Sequence, residues 1–227
     1  MVKEILKLDL HIHSQYSEDA RGTPKEIIKS LKKKGINGMC ITDHNTVKGS
    51  LEALKLCPKD FIVIPGAEIS TLEGHILGLN IRENISPKKS IEITIENILD
   101  QGGIPIIPHV YRNMSGIKKR KLNSIKNKIN IIEVFNSCSQ PKTNLKMAKI
   151  AKKNNFGGSG GSDTHEPQYA GLGYTIIETN DENIDSIISQ INNKKTWGEG
   201  ISLPMEYRRN RLIKSVKQFF QRGFKRI

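Results

Sequence analysis

The stretch Asp9-Leu10-His11-Ile12-His13-Ser14 is where the chain's chemistry begins. Residues 6–12 are apolar at alternate positions, the pattern of a half-buried strand. Strand side chains alternate sides, so Asp9, His11 and His13 are expected to point the same way. Two imidazoles one pleat apart at a strand end can grip one metal ion, with Asp9 placed to orient one of them. The same spacing also arises from ordinary polar residues at a strand end, so its meaning rests on what joins it.

All six histidines belong to one set: His11, His13, His44, His75, His109 and His165. Asp19, Glu68 and Asp163 join them, each expected in a turn containing glycine or serine. Mixed imidazole and carboxylate donors suit Zn, Mn or Fe and lack the thiolates of a structural zinc site. Nine donors exceed the needs of one ion and suit two or three divalent ions with a bridging carboxylate. Asp43 beside His44 is expected to orient it, and Glu133 to support a ligand from behind. Asn45, Asn136 and Thr164 are candidate hydrogen-bonding neighbours. No serine elbow or reactive cysteine stands out.

The elements that must position these residues read as alternating strands and helices. Strands are expected over residues 6–12, 38–42, 61–65, 75–79, 104–107, 129–134, 156–161 and 172–178. Thr23-Pro24 with Glu26 has the form of a helix start, and Gly35 of its stop. Further helices are expected up to about residue 56 and over 90–101, 144–154 and 182–192. The second of these should carry Ile91, Ile95, Ile98 and Leu99 on one face. Residues 115–128 look basic and mobile. The pattern is βα repeated roughly seven times, which predicts parallel strands with crossover helices. The clusters His11/His13, Asp19, Asp43/His44, Glu68, His109, Glu133 and Asp163/His165 then fall at or after strand C-terminal ends, which share one face in a barrel.

Six runs, in order, carry a resemblance. They are Asp9-Leu-His11-Ile-His13-Ser14, Ile41-Thr42-Asp43-His44-Asn45-Thr46, Gly66-Ala67-Glu68-Ile69-Ser70, Gly74-His75-Ile-Leu-Gly78, Pro108-His109 and Gly161-Ser162-Asp163-Thr164-His165. Together they resemble the polymerase-and-histidinol-phosphatase (PHP) family of metal-dependent phosphoesterases, over residues 6–178. The resemblance implies a distorted, TIM-like (β/α)7 barrel over residues 1–200. Residues 201–227 follow as a C-terminal basic amphipathic helix extending the same domain. It also implies that His11, His13, Glu68 and Asp163 hold one ion, and that Glu68 bridges to a second held by His75 and His109. Asp19, His44 and His165 would hold a third, with Glu18 the alternative to Asp19. A hydroxide between two ions, held by Glu68, His11, His13 and Asp163, would attack phosphorus, with Arg112 and Arg21 the candidates for holding the phosphate. The run His109-Val110-Tyr111-Arg112 departs from the family's usual proline-containing turn.

The chain has 227 residues, with 36 Lys and Arg against 23 Asp and Glu and a formal charge of +13. No apolar run approaches the roughly 20 residues of a membrane span. No signal peptide is evident, and three unspaced cysteines read as reduced thiols, so a cytoplasmic location is expected. From residue 205 onward, eight basic residues face Glu206 alone. Leu212, Ile213, Val216, Phe219 and Phe220 recur at helical spacing there. Three readings are open for this helix: its apolar stripe packs on the barrel, it contacts nucleic acid, or it lies on an anionic membrane surface.

The expected function is hydrolysis of phosphate monoesters of a small phosphorylated metabolite or nucleotide. A 5′-3′ exonuclease on short nucleic acids or a histidinol phosphatase is the alternative. Outside enzymes, the alternative is a metal-binding module associated with membrane or nucleic acid. No obligate protein partner is evident, and no polymerase segment is present.

Overall fold

Strand β1 (Glu4–Ile12) is the spine of the first sheet. Its alternating apolar residues Leu6, Leu8, Leu10 and Ile12 are all buried. The chain then enters α1 (Pro24–Lys33) through a complete capping box: Thr23 accepts from the Glu26 N–H, and the Glu26 carboxylate accepts from the Thr23 N–H. Helix α1 leads to β2 (Gly38–Ile41), α2 (Lys48–Leu56) and β3 (Ile62–Ile64), with β1, β2 and β3 parallel. The computed structural model describes residues 4–113, 115–181, 183–221 and 223, without the side chains of Leu212, Ser215, Gln218 and Phe219.

The parallel pattern then breaks. Residues 66–70, expected as a turn, form β4 (Gly66–Ser70), which pairs antiparallel with β5 (His75–Leu79). Every residue of β4 is buried, so the segment shows no alternation by which to recognise a strand. After α3 (Ile91–Asp100), β6 (Ile104–Ile107) pairs antiparallel with β5. Leu99, expected on the buried face of α3, is exposed, and Thr94 takes an inward position instead. The basic stretch expected to be mobile contains α4 (Lys119–Ile125), held down by buried Leu122 and Ile125 and by Lys121 paired with Glu73 and Glu92. Strand β7 (Ile131–Asn136), α5 (Pro141–Asn154) and β8 (Gly157–Gly161) restore parallel pairing.

Strand β9 (Gly173–Thr179) returns antiparallel to β1. The helix expected over 182–192 is α6 (Ile184–Asn192), and Glu182 lies outside the described residues. Trp197 sits in β10 (Thr196–Gly200), antiparallel to β9, and packs against the core. The result is two five-stranded mixed sheets, ordered β10-β9-β1-β2-β3 and β4-β5-β6-β7-β8. The α/β class is as expected, whereas the uniformly parallel strands are not. Bridges between Ile12 and Thr164 and between His44 and Glu68 join the sheets.

Glycines decide how closely these strands approach. A Cβ on Gly161 would lie 2.3 Å from the His11 Cβ, so only glycine lets the end of β8 press against β1. No helix among the described residues is long and apolar enough to cross a membrane.

The last helix is α7 (Met205–Gln221), and three readings are open for its apolar stripe. Its described members Ile213, Val216 and Phe220 are exposed, and Tyr207, Arg208, Arg211 and Lys214 contact Tyr169, Ser139 and Asp19 outside the strands. The side chains of Leu212 and Phe219, and residues 222 and 224–227, lie outside the described residues.

Candidate metal centre

The structure brings all nine expected donors into one buried cluster. His11 and His13 leave the end of β1, His44 follows β2, His109 follows β6, and Asp163 and His165 follow β8. Two residues reach the cluster differently. Glu68 stands in the middle of β4. His75 is the first residue of β5, and the antiparallel pairing of Ser70 with His75 carries it to the same end. Neighbouring imidazole centroids lie between 4.2 and 6.3 Å apart.

Glu68 is central. Its Oε1 lies 2.9 Å from His75 Nδ1 and 2.9 Å from His109 Nε2. Its Oε2 lies 3.3 Å from His13 Nε2, 3.3 Å from His44 Nδ1 and 3.5 Å from His11 Nε2. Burial alone would raise its pKa, but the charges of His75 and His11 and the hydrogen bond with His109 outweigh that and hold it well below the usual range. Asp163 Oδ1 stands 3.6 Å from His11 Nε2 and 3.5 Å from His13 Nε2. Its backbone adopts a φ of 50°, the left-handed region, braced by its N–H donating to the His11 carbonyl at 2.7 Å. Asp19 Oδ2 stands 3.0 Å from His165 Nε2, and Asp19 Oδ1 stands 3.8 Å from His44 Nε2. Glu18 is exposed, so Asp19 is the inward-facing member of that pair.

A surrounding layer fixes these rings. Glu133 Oε1 meets His11 Nδ1, and Glu133 Oε2 accepts from the His109 N–H and from Asn136 Nδ2. Asp43, expected to orient His44, instead accepts from Ser14 and Ser17, and it is Ser17 that accepts from the His44 N–H. Ser17, absent from the expected set, also lies 3.2 Å from His13 Nδ1. A serine four residues after a site histidine, inside the same polar loop, was the available signal. Asp9 does not touch an imidazole as expected. It accepts from the N–H groups of His11, Ser162 and Gly171, stitching three backbone segments together. Asn45 exchanges hydrogen bonds with Ser70, and Thr164 closes a turn onto Glu166.

The cluster fits cations better than it fits itself. His11 Nε2, His13 Nε2, His44 Nδ1, His109 Nδ1 and His165 Nε2 are buried without a hydrogen-bond partner. Each such atom costs about 1–3 kcal/mol unless something satisfies it. Four groups have donor atoms within 4.8 Å of one another: His13/His44/His165, His11/Glu68/His109, His11/His13/Asp163 and His44/Glu68/His75. Imidazole nitrogens and carboxylate oxygens without thiolates are the donor set of Zn, Mn and Fe.

Above the cluster opens a cavity of about 1070 Å³. Its cationic lining comes from Arg112, from Lys142 and Lys146 on α5, and from Arg208, Arg209 and Arg211 on α7. Arg112 is committed to Asp163 at 2.5 Å and to Asn136 at 3.0 Å. Arg21 is exposed and does not line the cavity, so the structure does not bring it to the cluster. The arginines of α7 and the lysines of α5 are unexpected as cavity residues, because helical periodicity does not reveal which loop end a helix lies across. Cys138 also lines the cavity, but burial, helped by Asp163, pushes its thiol up to about 12, which disfavours the thiolate near neutral pH.

Three comparisons bear on this geometry. The family model of the PHP domain matches residues 9–224. An uncharacterized protein of Methanocaldococcus jannaschii is 38% identical over 162 residues, covering 65% of this chain and 93% of that protein. A 5′-3′ exoribonuclease of Haemophilus influenzae is 32% identical over 118 residues, covering 44% of this chain and 42% of that enzyme. Among solved structures, a two-domain protein of Bacteroides vulgatus containing a predicted PHP-like metal-dependent phosphoesterase superposes with a TM-score of 0.76. It shares 16% identity, and the match covers 88% of this chain and 66% of that one, which speaks for the fold.

Proposed function

The chain belongs to the PHP domain family, and from that premise we propose that it is a metal-dependent phosphoesterase that hydrolyses phosphate monoesters of a small metabolite or nucleotide. The carrying observation is the division of Glu68, whose two carboxylate oxygens face different sets of imidazoles. A carboxylate so placed suits a bridge between cation sites. We assign His11, His13, Glu68 and Asp163 to one ion, Glu68, His75 and His109 to a second, and Asp19, His44 and His165 to a third. Divalent ions held there would make a water acidic enough to serve as nucleophile near neutral pH and would offset charge on phosphoryl oxygens. The distorted barrel is part of this reading, supported by the two bridges that join the sheets beside the site.

The chain's own residues do the rest. Glu133 and Ser17 hold His11 and His13 with their Nε2 atoms turned inward. Burial of the cluster excludes bulk water and strengthens every charge interaction within it. Arg211, lining the cavity with one guanidinium nitrogen 3.7 Å from Asp19, is placed to receive a phosphoryl oxygen as it arrives. Arg112 keeps Asp163 ionised, since burial would otherwise raise that carboxyl.

A second reading is 5′-3′ exonuclease action on short nucleic acids. The basic cavity wall favours it, being wider than one phosphate requires. A phosphate-release screen with added Mn or Zn separates the two. The panel holds nucleoside monophosphates, nucleoside 3′,5′-bisphosphates, histidinol phosphate and short RNA. Release from a small monoester, abolished in Glu68→Gln, is the expected result. Turnover of RNA alone supports the second reading, and no turnover of any member contradicts both.

A further inference from the structure

Helix α7 is amphipathic with its faces reversed. The side toward the loops after β1, β7 and β8 is polar and tied down. The Tyr207 ring packs on Tyr169 at 4.4 Å, and Arg208 donates to the Ser139 carbonyl at 3.2 Å. Arg211 approaches Asp19, and Lys214 donates to the Asp19 carbonyl at 3.0 Å. Positions 205, 209, 213, 216 and 220 recur at three- and four-residue spacing and share the other side of the helix. Met205, Ile213, Val216 and Phe220 on that side are 77%, 48%, 39% and 58% exposed. Arg209 lies within the row, and exposed Lys217 beside it. Four large apolar side chains in one solvent-facing row are unusual for a helix that could have turned them inward.

We propose that this face of α7 docks on an anionic lipid surface. Charge selects this occupant. Beyond the three basic residues tied down on the inner side, the segment from residue 205 onward has five more against Glu206 alone, within a chain of formal charge +13. A second copy pairing through α7 would set two basic helices against each other, whereas an anionic bilayer neutralises them. Nucleic acid would satisfy the charge but leave the Met205, Ile213 and Val216 side chains without an apolar partner. A bilayer takes both, the apolar row entering the acyl boundary with Arg209 and Lys217 meeting headgroups. Met205, Arg209 and Val216 also line the cavity, so docking brings the cavity mouth to the lipid surface.

The test is co-sedimentation of the full chain with vesicles of phosphatidylcholine alone and of phosphatidylcholine mixed with phosphatidylglycerol. Ile213→Glu/Phe220→Glu is run beside the wild type, because neither residue lines the cavity. The wild type should bind the anionic vesicles at least tenfold more tightly than the neutral ones, and less tightly as salt rises above about 0.1 M. The double variant should lose at least tenfold of that binding while keeping the circular dichroism spectrum of the wild type. Three results would overturn the proposal: no vesicle binding, anionic binding indifferent to the two substitutions, or a concentration-dependent dimer or RNA complex that they abolish without any vesicle binding. None depends on whether the chain hydrolyses phosphate esters.

Discussion

His11 and Glu133 meet through Nδ1 and Oε1 at 2.8 Å, both buried, across 122 residues of chain. The contact leaves His11 Nε2 facing Glu68 and Asp163. It ties the end of β1, in one sheet, to β7 in the other. The same carboxylate accepts the His109 backbone N–H, so one side chain sets two donors.

Glu133→Gln should therefore weaken divalent-metal binding by roughly tenfold to a hundredfold, the usual effect of losing a charged partner behind a ligand imidazole. Competition with a chromophoric chelator measures it, and circular dichroism checks that the fold persists. Affinity equal to the wild type would remove Glu133 from its supporting role.

Substitution of the cavity arginine should act on substrate. Arg211→Met removes a charge-assisted contact worth about 1.5–3 kcal/mol, so KM should rise roughly tenfold to a hundredfold while kcat changes much less. Arg21→Met, outside the cavity lining, should leave both constants at wild-type values. The reverse pattern would return the phosphate to the loop that follows His13.

Asp9 supplies a pH signature. Burial, partly offset by hydrogen bonds from Ser162, Gly171 and His11, raises its carboxyl from 3.8 to about 6. The folded state then binds more protons than the unfolded state between those values, so this group's stabilisation is complete below about 4 and is lost as pH rises through about 6. A carboxyl displaced that far changes stability by about 3 kcal/mol across the window. Relative to Asp9→Asn, wild-type stability by denaturant titration should fall over the same range. Parallel curves would show that the three N–H donors balance the burial.

Gly161→Ala tests the closeness of β8 to β1. The added methyl would meet the His11 Cβ at 2.3 Å, and both sides are packed. Overpacking of this kind costs about 1–3 kcal/mol. A lowered melting temperature should accompany reduced metal content, because the strand that yields carries His11. Loss of stability with full metal content would separate the packing from the site.

Much of this was legible in the chain because local chemistry announces itself. Thr23, Pro24 and Glu26 mark a helix start that the structure reproduces as a capping box. The six histidines sit in polar runs beside strands, and the structure gathers all of them. What was hidden lacked a local signature. Gly66–Ser70 is buried on both faces, so no alternation marks β4, and its antiparallel return through β5 follows from pairing alone. Strand β10 reads Thr-Trp-Gly-Glu-Gly, and its glycines disguise a strand whose Gly198 lies against Ser159 and Gly160. In α7 the periodicity shows which residues share a face, but tertiary contacts of Tyr207, Arg208, Arg211 and Lys214 decide which face turns outward.

The most direct measurement is the metal content of the full chain by inductively coupled plasma mass spectrometry, after reconstitution with Mn or Zn and removal of loosely bound ions. About two to three ions per chain are expected, held by the groups that share Glu68 and by the group that contains Asp19. In Glu68→Gln the ratio should fall to about one, the ion assigned to Asp19, His44 and His165. A reconstituted wild type that retains no metal would contradict the metal-centre assignment outright.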